Sequence, residues 1–203
     1  MEFKDYKIDI YAQTYFGIRH GLETLSQLIS YDEITDSLQM HSYAFIKDAP
    51  KHSHRGILID TARNFIPTVI IRQIIDAMSY NKLNILHWHI TDTHSFPLEL
   101  ESIPELAKYG AYSSSKVYSP SDIKSLVQYA KVRGVKILPE FDAPAHVGNG
   151  WQFTQNSLDW GKIILCMEKE NWMKHCAEPP CGQVNVILQC FVLSREFLES
   201  ISN

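Results

Sequence analysis

The chain has 203 residues, of which 45% are hydrophobic and 21% charged, the composition of an ordinary globular domain. A formal net charge of −4, with no run rich in lysine and arginine, argues against a general nucleic-acid-binding protein. No apolar stretch approaches the roughly 18 residues that a membrane span requires, and the charged start Met1–Lys7 does not resemble a signal peptide.

The first fifty residues contain few elements. Apolar and polar residues alternate between positions 4 and 15, which predicts one half-buried strand. Apolar residues from Ile18 to Ile29 then recur at helical spacing, and residues 31–54 read as short strands and turns. One strand and one helix bury too little apolar surface to be stable alone, so we expect residues 1–50 to be the later part of a small domain.

From Arg55 onward the pattern becomes strand, loop, helix. Gly56–Asp60 is a compact apolar strand, and a second apolar strand over residues 83–90 runs into the polar stretch 87–92. Ser119 is a predicted helix N-cap that forms a capping box with Asp122. Residues 135–142 form a third apolar strand that ends in carboxylates.

Three such units predict an α/β fold with a parallel sheet covered by helices. Both a (β/α) barrel and an open doubly wound sheet fit this pattern. No glycine-rich phosphate-binding motif follows any strand, so nothing favours a nucleotide-binding fold. Three strands cannot close a barrel of eight, so a barrel would be represented only in part.

Four polar groups lie near strand ends: Arg55, Asp92, the pair Glu140 and Asp142, and His146. We expect them to converge, because active sites of α/β folds lie where the strands end. An Asp that orients a His is a common way to tune an acid or base, and Arg55 offers a planar fork suited to hydroxyl groups or carboxylates. The alternatives are structural: Arg55 pairing with a strand-end carboxylate, and Glu140 or Asp142 capping a loop.

A metal site is a second hypothesis. His87 and His89 are two residues apart, so they share one face of a strand, and together with Asp142 or His146 they have the donor types for zinc. Such a site would make the chain a metal-dependent hydrolase.

Two tryptophans and four cysteines complete the candidate residues. Trp151 and Trp172 are either platforms for a sugar ring or ordinary core residues. All four cysteines lie between Cys166 and Cys190, and Cys176 and Cys181 flank a short loop. A disulfide in an oxidising compartment, reduced thiols and, as the least favoured option, zinc binding are all compatible with this spacing.

Three long motifs resemble one family of enzymes. The motifs are Arg55–Asn64, His87–Asp92 followed by Ser95-Phe96-Pro97, and Leu138–His146. Their residues and their order along the chain are similar to the motifs of β-N-acetylhexosaminidases of glycoside hydrolase family 20. Residues 14–28 resemble the end of that family's small α/β domain. Trp172 and the stretch 178–183 resemble the insect branch that degrades chitin oligomers or trims N-glycans.

The resemblance implies a retaining exo-glycosidase in which the 2-acetamido group of the substrate attacks the anomeric carbon. Arg55 would bind hydroxyls of the terminal sugar, and Asp92 with His146 would form the relay behind the general acid. Trp172 and Glu178 would shape the site for the next sugar, and Cys176–Cys181 would be a disulfide.

The resemblance also implies domain and partner assignments. Residues 1–50 would be the C-terminal part of a small non-catalytic α/β domain. Residues 51–185 would be about the first three βα units of a (β/α)8 TIM barrel, and residues 186–203 would be a divergent tail. The substrate would be an oligosaccharide ending in N-acetylglucosamine, with no cofactor, metal or nucleic acid. The parent protein would be secreted, extracellular or lysosomal, with homodimerisation left open.

One departure from the family pattern limits the activity that we expect. The family's catalytic Asp-Glu pair follows two glycines after the fourth strand, but the only adjacent Asp-Glu pair here is Asp32-Glu33. We therefore expect the 203 residues to be inactive by themselves, as the product of an incomplete gene model or a truncated transcript. A non-catalytic fragment or binding remnant is the competing interpretation.

Overall fold

A computed structural model describes residues 7–142 and 146–151, and the backbone alone of residues 2–4, 164–165 and 183–184. The strands in chain order are β1 (Glu2–Lys4), β2 (Lys7–Asp9), β3 (Ser30–Asp32), β4 (Ser37–Gln39), β5 (Ala44–Phe45), β6 (Gly56–Asp60), β7 (Ile85–Thr91), β8 (Lys136–Phe141), β9 (Ile164–Leu165) and β10 (Gln183–Val184). The helices are α1 (Tyr15–Gln27), α2 (Thr68–Tyr80), α3 (Pro104–Gly110) and α4 (Pro120–Lys131).

The centre of the structure is a parallel sheet in the order β6–β7–β8. Gly56 pairs with Ile85, and Ile85 pairs with Lys136, so all three strands begin level and run the same way. The three predicted strands and their parallel arrangement are therefore confirmed. Their carboxyl ends meet at one edge of the sheet.

One face of this sheet packs against α2 and α4. Leu86, Trp88 and Ile90 on β7 point to that side and are fully buried, because each alternate residue of a strand faces the same way. The helices contribute the matching apolar stripes, which include Ile71 and Ile75 on α2 and Ile123 and Leu126 on α4. The opposite face carries His87 and His89, with Leu58 and Leu138 exposed beside them.

Local signals define where α4 begins. The Ser119 side chain accepts a hydrogen bond from the Asp122 amide at 3.2 Å, and the Asp122 carboxylate accepts one from the Ser119 amide at 3.0 Å. This confirms the predicted capping box. Pro67 is the residue before α2 rather than its first helical residue.

The connection between β7 and α4 contains regular structure of its own. It contains α3 and a parallel bridge between Leu98 and Tyr118. Tyr118 is buried and donates a 2.5 Å hydrogen bond to the carbonyl of Ile66. Burial raises the pKa of the Tyr118 phenol to about 12, so this side chain holds the connection against the core as a neutral donor.

The single strand predicted over residues 4–15 is wrong. β1 and β2 are two short antiparallel strands, with Phe3 paired to Ile8, and α1 already begins at Tyr15. Only Lys4 of β1 falls within residues 4–15, so the alternation there gave no sign of a second strand.

Helix α1 contacts the C-terminal end of α2 and the residues that follow α4. The Arg19 guanidinium donates a 2.5 Å hydrogen bond to the hydroxyl of Ser79 and another to the carbonyl of Arg133. None of the described helices is long and apolar enough to cross a membrane.

Candidate active site

The candidate site lies at the carboxyl edge of the central sheet. Asp92 follows β7, Arg63 lies in the loop after β6, and His146 lies after β8. Parallel strands place these three loops side by side, which is where α/β enzymes hold their reactive groups.

Asp92 is the most buried acidic group of this edge, with only 3% of its surface exposed. Its Oδ2 atom lies 2.8 Å from Nη2 of Arg63 and 3.1 Å from Nε2 of His89. Its Oδ1 atom accepts a 2.6 Å hydrogen bond from the amide of Thr93. A buried carboxylate without partners would be very costly, so this arrangement keeps a negative charge in a fixed position inside the protein.

A β-bulge helps to aim Asp92. His89 pairs with Glu140, and the next pair is Thr91 with Phe141, so β7 has one extra residue at this point. A bulge bends its strand and re-aims the side chains that follow, and bulges are frequent beside active sites.

Arg63 is held by the strand that precedes it. The Asp60 carboxylate accepts hydrogen bonds from the amides of Ala62 and Arg63, at 3.1 and 3.0 Å, and pairs with Nη1 of Arg63 at 2.8 Å. Burial raises the pKa of Asp60, but the hydrogen bonds and charge of Arg63 outweigh it and lower the pKa overall. The Arg63 side chain is 38% exposed, so its guanidinium bridges Asp60 and Asp92 while it also faces solvent.

His87 and His89 converge on one carboxylate oxygen. Oε2 of Glu140 lies 2.6 Å from Nε2 of His87 and 3.2 Å from Nδ1 of His89. Burial lowers the pKa of His89, but its hydrogen bonds to Glu140 and Asp92 raise it overall. Glu140 therefore contacts two histidines of the neighbouring strand and does not cap a loop.

His146 adopts a left-handed backbone conformation with φ of 55°, which is uncommon for a residue with a side chain. Its Nδ1 atom lies 2.7 Å from Oδ2 of Asp142 and 3.6 Å from Oδ2 of Asp92. The structure thus brings Asp92 and His146 together, with Asp142 as the nearer partner of the imidazole. The side chain is 47% exposed, so its Nε2 side is open to a further group.

Two hydroxyl groups beside Asp92 have no partner. Among the described residues, the buried Oγ1 atoms of Thr91 and Thr93 make no hydrogen bond. Buried polar atoms without a hydrogen-bond partner are rare in folded proteins. Where they occur, a bound ligand or an ordered water is a common explanation.

The same edge contains side chains of the types that bind metal ions. Two groups of described side chains bring candidate ligand atoms within 4.8 Å: His89, Glu140 and Asp142, and Asp92, Asp142 and His146. Each imidazole already faces a carboxylate at hydrogen-bond distance, and Arg63 adds a positive charge next to Asp92. Hydrogen-bonded ion pairs account for this geometry, and a metal site based on His87 and His89 stays a hypothesis.

The expected convergence of Arg55 with Asp92 is wrong. Arg55 precedes β6, so it lies at the amino edge of the sheet. Its Nε atom donates to the carbonyl of Lys82 at 2.8 Å, and Nη1 donates to that of His52 at 2.6 Å. Its structural partners are therefore backbone carbonyls rather than carboxylates.

The arginine that the structure places at the carboxyl edge is Arg63, which was not among the predicted site residues. The signal was present, because Arg63 follows the end of the same strand that Arg55 precedes.

Trp151 is buried, with 3% of its surface exposed, and packs against Phe96 and Phe141. The core interpretation of this tryptophan is confirmed, and the expectation of an exposed sugar platform is wrong. Trp172, Glu178, Cys176 and Cys181 lie outside the described residues.

Comparison with known proteins identifies a family model that matches residues 52–203, described as glycosyl hydrolase family 20, catalytic domain. This match covers most of the chain and includes every residue of the carboxyl-edge site. The catalytic domain of this family has a TIM-barrel fold.

The chain is also similar to individual curated proteins and to solved structures. The chain is 53% identical over 176 residues to the chitooligosaccharidolytic β-N-acetylglucosaminidase of Bombyx mori, covering 87% of this chain and 28% of that protein. It is 44% identical over 165 residues to β-hexosaminidase subunit beta of Homo sapiens, covering 79% and 28%. The crystal structure of an exo β-N-acetylglucosaminidase from Vibrio harveyi in complex with N-acetylglucosamine matches with a TM-score of 0.57 and 31% identity, over 64% of this chain and 23% of that one. The chain thus spans less than a third of the length of these proteins.

Proposed function

The chain belongs to glycosyl hydrolase family 20, and from this membership we propose that residues 55–151 form one side of a β-N-acetylhexosaminidase active site. The reaction is retaining exo-hydrolysis of a terminal β-linked N-acetylhexosamine. The acetamido oxygen of the substrate is the nucleophile, as in the substrate-assisted glycosidases. The substrates would be chitin oligomers or N-glycans.

The observation that carries this proposal is the environment of Asp92. A carboxylate that is 3% exposed, ion-paired and 3.6 Å from an imidazole can stabilise a positive charge on that imidazole. His146, oriented by Asp142 and Asp92, would then support a general acid placed on its open side. Asp92 and His146 therefore act as positioning residues of the relay.

We assign the grip on the terminal sugar to Arg63. A guanidinium carries several donors in one plane, and its two carboxylate partners leave its exposed side available to sugar hydroxyls. The role that family resemblance gives to Arg55 stays a prediction, opposed by the position of Arg55 at the other edge.

The domain assignments follow from the same proposal. Residues 1–50 are the C-terminal part of a small non-catalytic α/β domain, and 51–185 are about the first three βα units of a (β/α)8 barrel, with 186–203 as a divergent tail. Three parallel strands with helices on one face agree with the start of a barrel, in which the other face would line the interior.

The proton donor is the missing part of this site. The printed sequence contains no Gly-Gly-Asp-Glu motif, and a general acid or base typically contributes about 10²–10⁴-fold to a rate. We propose that the 203 residues alone do not hydrolyse the substrate and that the described site works only with the rest of a barrel.

The setting of the parent protein follows from the resemblance. We propose that it is secreted or lysosomal, that Cys176 and Cys181 form a disulfide, and that Trp172 and Glu178 contact the second sugar. A homodimeric parent is compatible with this proposal.

A chimera tests the function. Residues 55–151 would replace the matching segment of the Bombyx mori enzyme, and hydrolysis of an aryl N-acetyl-β-glucosaminide would be measured. The unmodified enzyme and the 203-residue chain are the controls. We expect the chimera to be active and the 203 residues to give only background. A correctly folded but inactive chimera would favour a non-catalytic binding remnant, and turnover by the 203 residues alone would refute their proposed inactivity.

A further inference from the structure

Among the described histidines, His89 is the only one whose two ring nitrogens each lie within 3.2 Å of a carboxylate oxygen. Nε2 lies 3.1 Å from Oδ2 of Asp92, and Nδ1 lies 3.2 Å from Oε2 of Glu140. A neutral imidazole carries one N–H donor and one acceptor nitrogen, whereas an imidazolium carries two donors. A neutral His89 would direct a lone pair at one of the two carboxylates.

We propose that His89 is an imidazolium that clamps Asp92 and Glu140 together and thereby acts as a positioning residue for the Asp92–His146 pair. It links the bulged end of β7 to β8 through two charge-assisted hydrogen bonds. The catalytic consequence of the clamp rests on the proposed glycosidase function, whereas its protonation state does not.

Each of the two carboxylates that His89 contacts is also held by a second side chain. His87 lies 2.6 Å from the same Glu140 oxygen, so Glu140 is held from two sides and stays in place as an acceptor. Arg63 lies 2.8 Å from the Asp92 oxygen that His89 contacts. Asp92 Oδ2 is thus held by two cations, and His89 is the one that also reaches the neighbouring strand.

The surrounding charges favour a cation at this position. The charged and titratable side chains around His89 are, in chain order, Asp60, Arg63, His87, Asp92, His94, Glu140, Asp142 and His146. Four of them are carboxylates and one is an arginine. Burial opposes the charge of His89, yet its carboxylate partners raise its pKa overall.

The position of His89 supports a role in holding Asp92 in place. It is buried, at 7% exposed, and lies next to the bulge that re-aims Asp92. Loss of the clamp would free Asp92 to move relative to β8, which carries the loop with Asp142 and His146. The expected consequence is a slower chemical step with little change in sugar binding.

The direct test is ¹⁵N NMR of the histidine rings in the full 203-residue chain, with His89 assigned from a His89→Gln variant. At pH 6.5, where an ordinary histidine is about half protonated, we expect both His89 ring nitrogens to be protonated. A neutral His89 with one protonated nitrogen would overturn the proposal. This readout does not depend on enzymatic activity.

Two variants measure the contribution of each partner without replacing His89. Asp92→Asn and Glu140→Gln each remove one negative charge, and we expect each to lower the titration midpoint of His89 by about one pH unit, a tenfold change in its protonation equilibrium. Asp76→Asn, which removes a carboxylate of α2 that pairs with Arg133 and not with His89, is the matched control and should leave the midpoint in place. Unchanged midpoints in both partner variants would contradict the clamp.

The catalytic part is tested in the chimera. We expect His89→Gln to lower kcat by about tenfold or more and KM by less than twofold, with His89→Ala worse, because glutamine keeps one donor. An active chimera with unchanged kcat in both variants would reject the positioning role. An inactive chimera with a doubly protonated His89 would reject the proposed function and leave the imidazolium standing.

Discussion

The two edges of the central sheet each hold an arginine from the same chain segment, in opposite chemical settings. At the amino edge, Arg55 donates to the carbonyls of Lys82 and His52, which lie in the loops before β7 and β6. At the carboxyl edge, Arg63 pairs with the carboxylates of Asp60 and Asp92. Carbonyl partners fix a loop, whereas carboxylate partners create a charged site.

The neighbours of the two arginines show the same contrast. Asn84 accepts from the Arg55 amide at 2.9 Å and donates to the carbonyl of Ser53 at 2.7 Å, so it adds further bonds to the backbone at the amino edge. At the carboxyl edge, histidines bridge carboxylates of neighbouring strands. The residue type therefore does not indicate the role; its partners do.

The largest expected effect is that of Asp92→Asn in the chimera. The amide loses the charge that Arg63 and His89 neutralise, so the relay through His146 weakens. We expect kcat to fall by about 10²–10⁴-fold, the range for acid–base catalysis, with a much smaller change in KM. Asp76→Asn, which removes an ion-paired carboxylate of α2 away from the site, is the control. A kcat equal to that of the control would remove Asp92 from the relay.

The two arginines provide the next comparison. Lysine keeps the charge but loses the planar fork, so Arg63→Lys should lower kcat/KM by about 10–100-fold, since hydrogen bonds to charged groups contribute about 1.5–3 kcal/mol. Arg55→Lys should leave kcat/KM within about twofold and lower Tm. Steady-state kinetics and thermal melts of both variants measure these effects. A large loss of kcat/KM in Arg55→Lys and a small loss in Arg63→Lys would restore the role that resemblance gives to Arg55.

Asn84→Ala should have a smaller effect that is confined to stability. It removes two hydrogen bonds at the amino edge, so we expect a loss of about 1–2 kcal/mol in the free energy of unfolding. Urea denaturation of the 203-residue chain measures this loss. A change in the NMR signals of His89 in this variant would show that the two edges are coupled, contrary to our expectation.

The smallest effect is the acid dependence contributed by Asp60. Its pKa in the folded chain lies below the ordinary value of 3.8 for an aspartate. Asp60 therefore stabilises the fold above its unfolded pKa, and this contribution is lost as the pH falls through the folded pKa. Asp60→Asn should therefore flatten the loss of stability below about pH 4. Denaturation curves between pH 2 and pH 6 test this, and an unchanged profile would show that the pair with Arg63 adds no stability.

The sequence was sufficient to predict the parts of the fold that depend on local patterns. The apolar runs that form β6, β7 and β8 ended in polar residues, and the capping box at Ser119 was readable directly. The position of Arg55 was also readable, because a residue that precedes a parallel strand lies at its amino edge. Nearness to a strand does not by itself place a residue at the carboxyl edge, because the end of the strand that it adjoins decides the edge.

Other parts of the site could not be read from the chain. The contact of His89 with Glu140 depends on strand register and on a bulge, neither of which has a local signal in β7. The burial of Trp151 depends on Phe96 and Phe141, which come from distant segments. Composition alone could not separate a core tryptophan from a sugar platform.

Chemical protection of the two arginines tests the central claim most directly. The chimera would be treated with phenylglyoxal, with and without N-acetylglucosamine, and modification of Arg63 and Arg55 would be followed by mass spectrometry. We expect the sugar to slow modification of Arg63 and to leave Arg55 unchanged, because the sugar binds at the carboxyl edge. Protection of Arg55 alone, or of neither arginine, would contradict the account.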